Sequence, residues 1–273
     1  MIDPTTKEAF QSTVRDYYHD HGRHDLPWRV AEPDGGFDPY KIMVSELMLQ
    51  QTQVARVIPK YHEFLRRFPT VFSLAEAPLG EVLRVWNGLG YNRRAKFLWQ
   101  SAQQIVSDHK GTFPQTTPEL VKLPGVGANT ASAILAYAFN QPAAFIETNI
   151  RTVYIHHFFE DKTTISDKEV AEIALQTLDR ERPREWYWAL MDYGSFLKQT
   201  VGNTAQRSSS YAKQSKFQGS RRQIRGQILR LLGDKSYARN AIRSRVPDER
   251  TDMVVHELLA EGLIHQTGDR LSL

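Results

Sequence analysis

Apolar residues recur along this chain at the three-to-four spacing of helices buried on one side. Residues 5–22 place Phe10, Val14, Tyr17 and Tyr18 on that repeat, and Leu26-Pro27-Trp28-Arg29 then breaks it. A second helix opens at Asp38-Pro39-Tyr40 and packs through Ile42, Met43, Leu47 and Leu49. The same pattern predicts helices over 54–68, 79–86, 93–109, 117–122, 128–139, 147–158, 167–180 and 184–197. Pro69, Pro78, Pro114, Pro118 and Pro183 fall near their ends, where a missing amide hydrogen does least harm. Little in this stretch alternates with the period of a strand, so the main body is expected to be all-α.

The last fifty or so residues read as a separate unit. Ile224, Ile228, Leu231 and Leu232 mark an amphipathic helix, a second lies near 238–243 and a third over 250–261. The run 262–273 then reads as a short hairpin turning at Gly268. Three helices ending in a β-wing resemble a winged-helix module, a type that binds DNA or recruits proteins. The expected division is therefore a helical domain of two lobes over 1–200, a basic Ser/Gln-rich linker or strap over 201–220, and the winged-helix-like module over 221–273.

Composition narrows the chemistry. The chain has 273 residues, enough for one large domain or two modest ones, and no cysteine. Disulfides, cysteine nucleophiles and cysteine-ligated iron-sulfur clusters are excluded on that ground. No basic flank leads into an apolar run at the start and no stretch approaches a membrane span. The expectation is a cytoplasmic protein, nucleoid-associated if bacterial, with no membrane partner. The formal net charge of +4 suits a polyanion without demanding one. Its distribution says more: Lys198, Arg207, Lys213, Lys216, Arg221, Arg222 and Arg225 follow one another with no acidic residue among them, a solvated linker or a phosphate-contacting strap. His19, His21 and His24 beside Asp20 and Asp25 read as a solvated helix end rather than a metal site.

Three motifs carry candidate chemistry. In Leu123-Pro124-Gly125-Val126-Gly127-Ala128-Asn129-Thr130, two glycines allow a tight turn whose amides point outward at a helix start, while Leu123 and Val126 anchor it. Such amides favour a phosphate oxygen without reading a base, although an ordinary helix-turn-helix connection has the same look. Glu46 stands on a helix otherwise made of Val44, Leu47, Met48 and Leu49, a setting that raises a carboxyl pKa. Glu147 follows Phe145-Ile146 at a helix start, where the dipole favours its ionised form. An acid and an anion of this kind could protonate a departing base and stabilise the sugar cation left behind. The plain alternatives are a solvated Glu46 and a helix-capping Glu147. Gln50 and Gln51, one turn after Glu46, could wedge into a base stack.

Together these residues resemble the helix-hairpin-helix (HhH-GPD) base-excision glycosylases, closest to the MutY-type adenine DNA glycosylases and more distantly endonuclease III. The similarity runs from Leu26-Pro27-Trp28-Arg29 through Ser45-Glu46-Leu47-Met48-Leu49-Gln50-Gln51-Thr52, Gly88-Leu89-Gly90-Tyr91, the Leu123 to Gly127 turn and Glu147 to Arg151, to Ala189-Leu190-Met191-Asp192-Tyr193-Gly194. It implies a two-lobed α-helical fold, double-stranded DNA with a mispaired or damaged base as partner, and a nucleotide flipped into a pocket. By position Glu46 matches the general acid that protonates adenine N7, and Gln51 a residue inserted into the duplex. Gly125, Val126 and Gly127 match the phosphate-binding turn, whose carbonyls also hold a monovalent cation in the family. Trp28, Arg29, Gln50, Tyr91, Asn92, Asn129 and Asn149 complete the DNA-facing set, with Trp28 and Tyr91 near the flipped base. Asn129 stands where endonuclease III has a lysine nucleophile, so glycosylase activity without lyase chemistry is expected.

The departures are as informative. Glu147 takes the place of the family's catalytic aspartate, and Asn92 that of a second tyrosine. The four cluster cysteines are missing beyond Gly194, where Lys198 and the serine-rich run stand instead, so no cofactor is expected. The tail is expected to be too short for the family's 8-oxoguanine-reading domain, and the winged-helix-like module takes its place, with a protein partner as a further expectation. Removal of a mispaired or damaged adenine by hydrolysis is the first reading. A thymine- or uracil-mismatch or other damaged-pyrimidine glycosylase is the second, and a non-catalytic DNA-binding protein on the same fold the third.

Overall fold

The computed structural model describes residues 2–211, 213 and 216–273. The chain runs through α1 (Pro4–His21), α2 (Pro39–Leu49), α3 (Val54–Arg67), α4 (Val71–Glu76), α5 (Leu79–Trp86), α6 (Arg93–His109), α7 (Thr117–Leu120), α8 (Ala128–Phe139), α9 (Thr148–Phe158), α10 (Asp167–Thr177) and α11 (Pro183–Thr200). There follow α12 (Arg221–Asp234), β1 (Tyr237–Ala238), α13 (Arg239–Arg245), α14 (Thr251–Ala260), β2 (His265–Thr267) and β3 (Arg270–Ser272), with single 3-10 turns at Pro27–Arg29 and Thr204–Arg207. The all-α reading of the main body holds. α4 was not anticipated, because two prolines eight residues apart hide a six-residue helix; its signal is the reciprocal cap between Thr70 and Ser73. α10 stops at Thr177 rather than 180, and Leu178 leaves the helix in extended conformation.

These elements gather into two compact units: Met1–Ile42, Gln115–Val121 and Val126–Lys213 form unit 1, and Met43–Pro114, Lys122–Gly125 and Gln214–Leu273 form unit 2. In unit 1, α8 is buried on all sides from Ala131 to Ala138, the signature of a central helix rather than a surface one. Around it α11 packs on α8, α9 and α1. Phe10 of α1 meets Tyr154, Phe158 and Trp186 with ring centroids 5.5, 4.9 and 5.8 Å away, so aromatic burial joins three helices. Gly194 permits the closest approach: a Cβ there would lie 2.2 Å from the Asn149 carbonyl oxygen.

Unit 2 buries Met43, Leu47 and Met48 of α2 with Phe64 of α3 and Trp86 of α5, the last two rings meeting edge to face at 6.0 Å. α12 lies on α5, α14 and β3, through Ile224, Ile228 and Leu232. The three strands form one antiparallel sheet in the order β1-β3-β2. Leu271 pairs with Tyr237 on one side and Gln266 on the other, and Gly268 makes the expected turn with φ 62°. β1 has only two residues, too few for any alternation to show in the sequence. Among the described residues no helix is long and apolar enough to cross a membrane.

Candidate functional site

In unit 2, Glu46 is half-buried on α2 between side chains that are fully buried, Ser45 and Leu47. A polar acid kept at such a position is expensive to desolvate, which sets it apart from a solvated helix residue. Three residues beyond the helix end, Gln51 adopts φ 54°, and across the same unit Tyr91 adopts φ 48°. Glycine or asparagine is the ordinary occupant of this left-handed region; each longer side chain there stores roughly 1 kcal/mol or more. Lys110 and Asn140 share the conformation as helix C-caps, an ordinary use.

Arg94 holds both strained residues in place. Its Nη1 donates to the carbonyls of Leu47 at 2.6 Å, Met48 at 3.0 Å and Gln50 at 2.6 Å, and its Nη2 donates to Gly90 O at 3.0 Å and Thr52 Oγ1 at 3.1 Å. One cation thus closes the C-terminus of α2, where the dipole is negative, and ties it to the Gly88 to Tyr91 loop. Burial pulls its pKa down to about 10, so it stays charged at neutral pH. Sequence reasoning missed Arg94, since an arginine in the first turn of an amphipathic helix looks like a solvated one. Gln50, Gln51, Tyr91, Asn92 and Gly125 line a single cavity of about 520 Å³ within this unit. At Gly125, with φ 77°, an added Cβ would lie 2.8 Å from the Cβ of Phe97, and Ser101 Oγ donates to Pro124 O at 2.8 Å.

In unit 1, Glu147 is the N-cap residue of α9, and its side chain makes no capping bond. The capping role that sequence allowed it is therefore not the one it plays. Burial pushes its carboxyl up, away from the ionised form expected at a helix start. Asn129 lies in the first turn of α8 and donates through Nδ2 to Ile146 O at 3.1 Å, pinning the backbone next to Glu147. Asn149 donates to Met191 O at 3.2 Å and accepts from Lys198 Nζ at 2.7 Å. Gly127 is the N-cap of α8, with nothing within 4 Å of a Cβ built upon it, so its face is open for an approaching group. Val126 is buried, as an anchor should be.

Trp28 is buried, and Arg29 is engaged elsewhere than at a DNA surface. Its Nη1 and Nη2 donate to Asp192 at 2.7 and 3.0 Å, while the backbone N and Nε of Arg23 donate to the same carboxylate at 2.8 Å each. Burial works to raise the Asp192 pKa, but the two guanidiniums outweigh it and hold the carboxyl below the ordinary range. The Leu26 to Arg29 segment is thus fastened by an ion pair inside unit 1. Asp192 stood in the motif without any sign of this role.

The basic stretch is neither a bare linker nor a free strap. Residues 212, 214 and 215 lie outside the described residues. Arg207 donates through Nε to Lys162 O at 2.8 Å and through Nη2 to Glu160 O at 3.0 Å. Asp167 accepts from Arg151 Nε at 3.0 Å, Ser208 Oγ at 3.2 Å and Ser210 Oγ at 2.8 Å, and Ile165 bridges Ser208. The serines thus serve as donors to one carboxylate. Arg221 and Arg225 pair with Glu257 and Glu261 in unit 2.

A helical fold with a glycine turn leading into a buried helix and a half-buried acid after it in no other sense than chain order would be only suggestive; comparison with known proteins makes the class definite. Residues 44–180 match the HhH-GPD superfamily of base excision DNA repair proteins, and the chain belongs to that family. It is 33% identical over 281 aligned positions to the adenine DNA glycosylase of Mycolicibacterium smegmatis, covering 92% of each chain. With the adenine DNA glycosylase of Buchnera aphidicola subsp. Baizongia pistaciae it shares 36% identity over 70% of its own length, and it spans 54% of that relative. The chain thus covers about half the length of this relative and 42% of another Buchnera adenine DNA glycosylase. Among solved structures, a thermostable thymine-DNA glycosylase superposes with a TM-score of 0.61 at 26% identity, covering 70% of this chain and 87% of that one. Endonuclease III in a trapped covalent complex with DNA has a TM-score of 0.59 at 19% identity over 72% of this chain and 88% of its own, a likeness of fold alone.

Proposed function

We propose that this protein is a DNA glycosylase of base excision repair that hydrolyses the N-glycosidic bond of a mispaired adenine in duplex DNA, without lyase activity. The observation that carries this reading is similarity to an adenine DNA glycosylase extending over 92% of both chains. Glu46, half-buried on α2, donates the proton that lets the base leave, and a proton donor in this role contributes typically 10²–10⁴-fold. Glu147 faces the sugar cation. A carboxyl disfavoured as an anion by burial gains most when positive charge develops beside it, because the attraction acts in a low-dielectric setting. Gln51 and Tyr91, held in left-handed conformations, enter the duplex when the base leaves the stack. The amides around Gly125 to Gly127 take a backbone phosphate. Asn129 has no amine with which to form a Schiff base, so strand breaks appear only after alkali.

Thymine removal is the second reading, favoured by the superposition on a thymine-DNA glycosylase. The test is base release from duplexes carrying A·G, A opposite 8-oxoguanine, A·C, T·G, U·G or a normal pair, with Glu46→Gln alongside wild type. Adenine release that falls by 10²-fold or more in the variant is expected. Thymine or uracil release selects the second reading, and tight binding with every base intact leaves a non-catalytic DNA-binding protein.

A further inference from the structure

The cavity beside Gln51 and Tyr91 has a second wall that the glycosylase reading does not use: the first helix of the C-terminal module, α12. Arg221, Arg222 and Arg225 of α12 and Arg93 and Arg94 of α6 line it, against two carboxylates, Glu257 and Glu261. All of these belong to unit 2, so the module and the strained pair share one compact body.

The arginines are held in a fixed lattice. Glu261 accepts from Arg93 Nη2 at 2.6 Å and from Arg225 Nη1 at 3.1 Å, Arg221 pairs with Glu257, and Lys96 Nζ donates to Glu261 O. The Arg222 guanidinium donates to the Tyr91 hydroxyl, lying 5.5 Å from the centre of that ring and 6.0 Å from the centre of Phe217, which is 61% exposed. Arginine planes and aromatic faces set against one another are the usual surroundings of an unstacked base. The volume of about 520 Å³ takes one nucleotide. A site for phosphate alone would carry donors only; this one sets guanidinium forks next to carboxylates. Guanine fits that mixture best, with O6 and N7 as paired acceptors for an arginine fork and N1 and N2 as donors to a carboxylate.

We propose that this cavity receives the base left unpaired on the opposite strand when a nucleotide is extruded, and that Arg222 of the C-terminal module selects a guanine edge there. The inference rests on the glycosylase reading only for the strand geometry, with Gln51 and Tyr91 entering the gap. The module then sets the pairing context in which excision occurs.

The test is equilibrium binding of the full chain, at one fixed salt concentration, to four duplexes in which a tetrahydrofuran abasic analogue faces G, A, C or T. No base need be cut. Wild type is expected to bind the duplex with G about ten-fold or more tightly than the other three, the scale of one bidentate base contact. Arg222→Gln abolishes this preference. Arg222→Lys keeps the charge and loses the fork, so it binds all four duplexes within about two-fold of the wild-type affinity for T and shows no preference. Equal wild-type affinity for all four, or an equal loss on all four in Arg222→Lys with the melting temperature unchanged, overturns the proposal and leaves a phosphate contact or a purely structural lattice. Base release by wild type is measured in parallel. Preference for G with no release from any mismatch sinks the glycosylase reading and spares the pocket; release without preference sinks the pocket alone.

Discussion

The surroundings of Glu147 and those of Gln51 and Tyr91 are built on opposite principles. Around Glu147, position is enforced by packing: α9 lies against α11 closely enough that Gly194 admits no side chain, Asn129 and Asn149 bind backbone carbonyls, and Asp192 ties the preceding loop with two arginines. Around Gln51 and Tyr91, position is enforced by backbone strain and one cation, Arg94, beside an open cavity. A group that must face a forming charge benefits from a setting that does not move, since small displacements there are costly in rate. A group that must enter a stack of bases benefits from standing proud of its own fold. The strain is tolerated because the surrounding hydrogen bonds over-determine it.

The contrast can be broken most severely at its single cation. Arg94→Met leaves several buried carbonyls without a donor, each costing about 1–3 kcal/mol, and is expected to destabilise the protein by about 3 kcal/mol or more in denaturant unfolding. If Arg94→Met unfolds at the wild-type midpoint, the wedge is not held as described. Gly194→Ala attacks the packed side instead: a Cβ 2.2 Å from the Asn149 carbonyl forces α9 and α11 apart, with an expected loss of about 1–3 kcal/mol and a drop in base release, while DNA affinity falls little. An unchanged rate in that variant would show that the spacing of α9 and α11 does not position Glu147.

Two milder changes sharpen the comparison. Because burial pushes the Glu147 carboxyl up, the folded protein holds this proton more tightly than the unfolded chain does. That contribution to stability is complete below the ordinary glutamate range, declines as pH rises toward the raised folded value, and is gone above it. Glu147→Gln removes the dependence, so the variant should melt higher than wild type at pH 8, with the gap closing on acidification to pH 4; a gap that widens in acid contradicts the burial. Gln51→Gly relieves left-handed strain and is expected to add up to ~1 kcal/mol of stability while lowering base release. A variant both less stable and fully active would mean that Gln51 serves its fold rather than the DNA.

How much of this was legible beforehand follows from what kind of force acts where. Helices with an apolar stripe and proline ends announced themselves, as did the turn at Gly268, because periodicity and turn chemistry are local. Glu46, Gln51, Tyr91 and the hairpin glycines were found as words of a motif. What stayed hidden depends on residues distant in sequence: Arg94 binding carbonyls more than forty residues away, Asp192 holding Arg23 and Arg29, and the pairing of Arg221 and Arg225 with Glu257 and Glu261. In sequence each looks like an ordinary surface charge. Arg29 misled for the same reason, since its motif position marks it for DNA while its guanidinium is held by Asp192.

The knot of Ser208, Ser210 and Arg151 around Asp167 has a consequence for how the end of unit 1 responds to its surroundings. Burial tends to raise the Asp167 pKa, and the Arg151 and serine hydrogen bonds overcome it, leaving the carboxyl below its ordinary value. Such a fastening is complete above the unfolded aspartate pKa and slackens as pH falls through the lower folded one. It contains no thiol, and the chain has none to offer. This closure therefore answers to proton activity and not to electron supply: acid works it loose, whereas a shift between oxidising and reducing conditions passes it by.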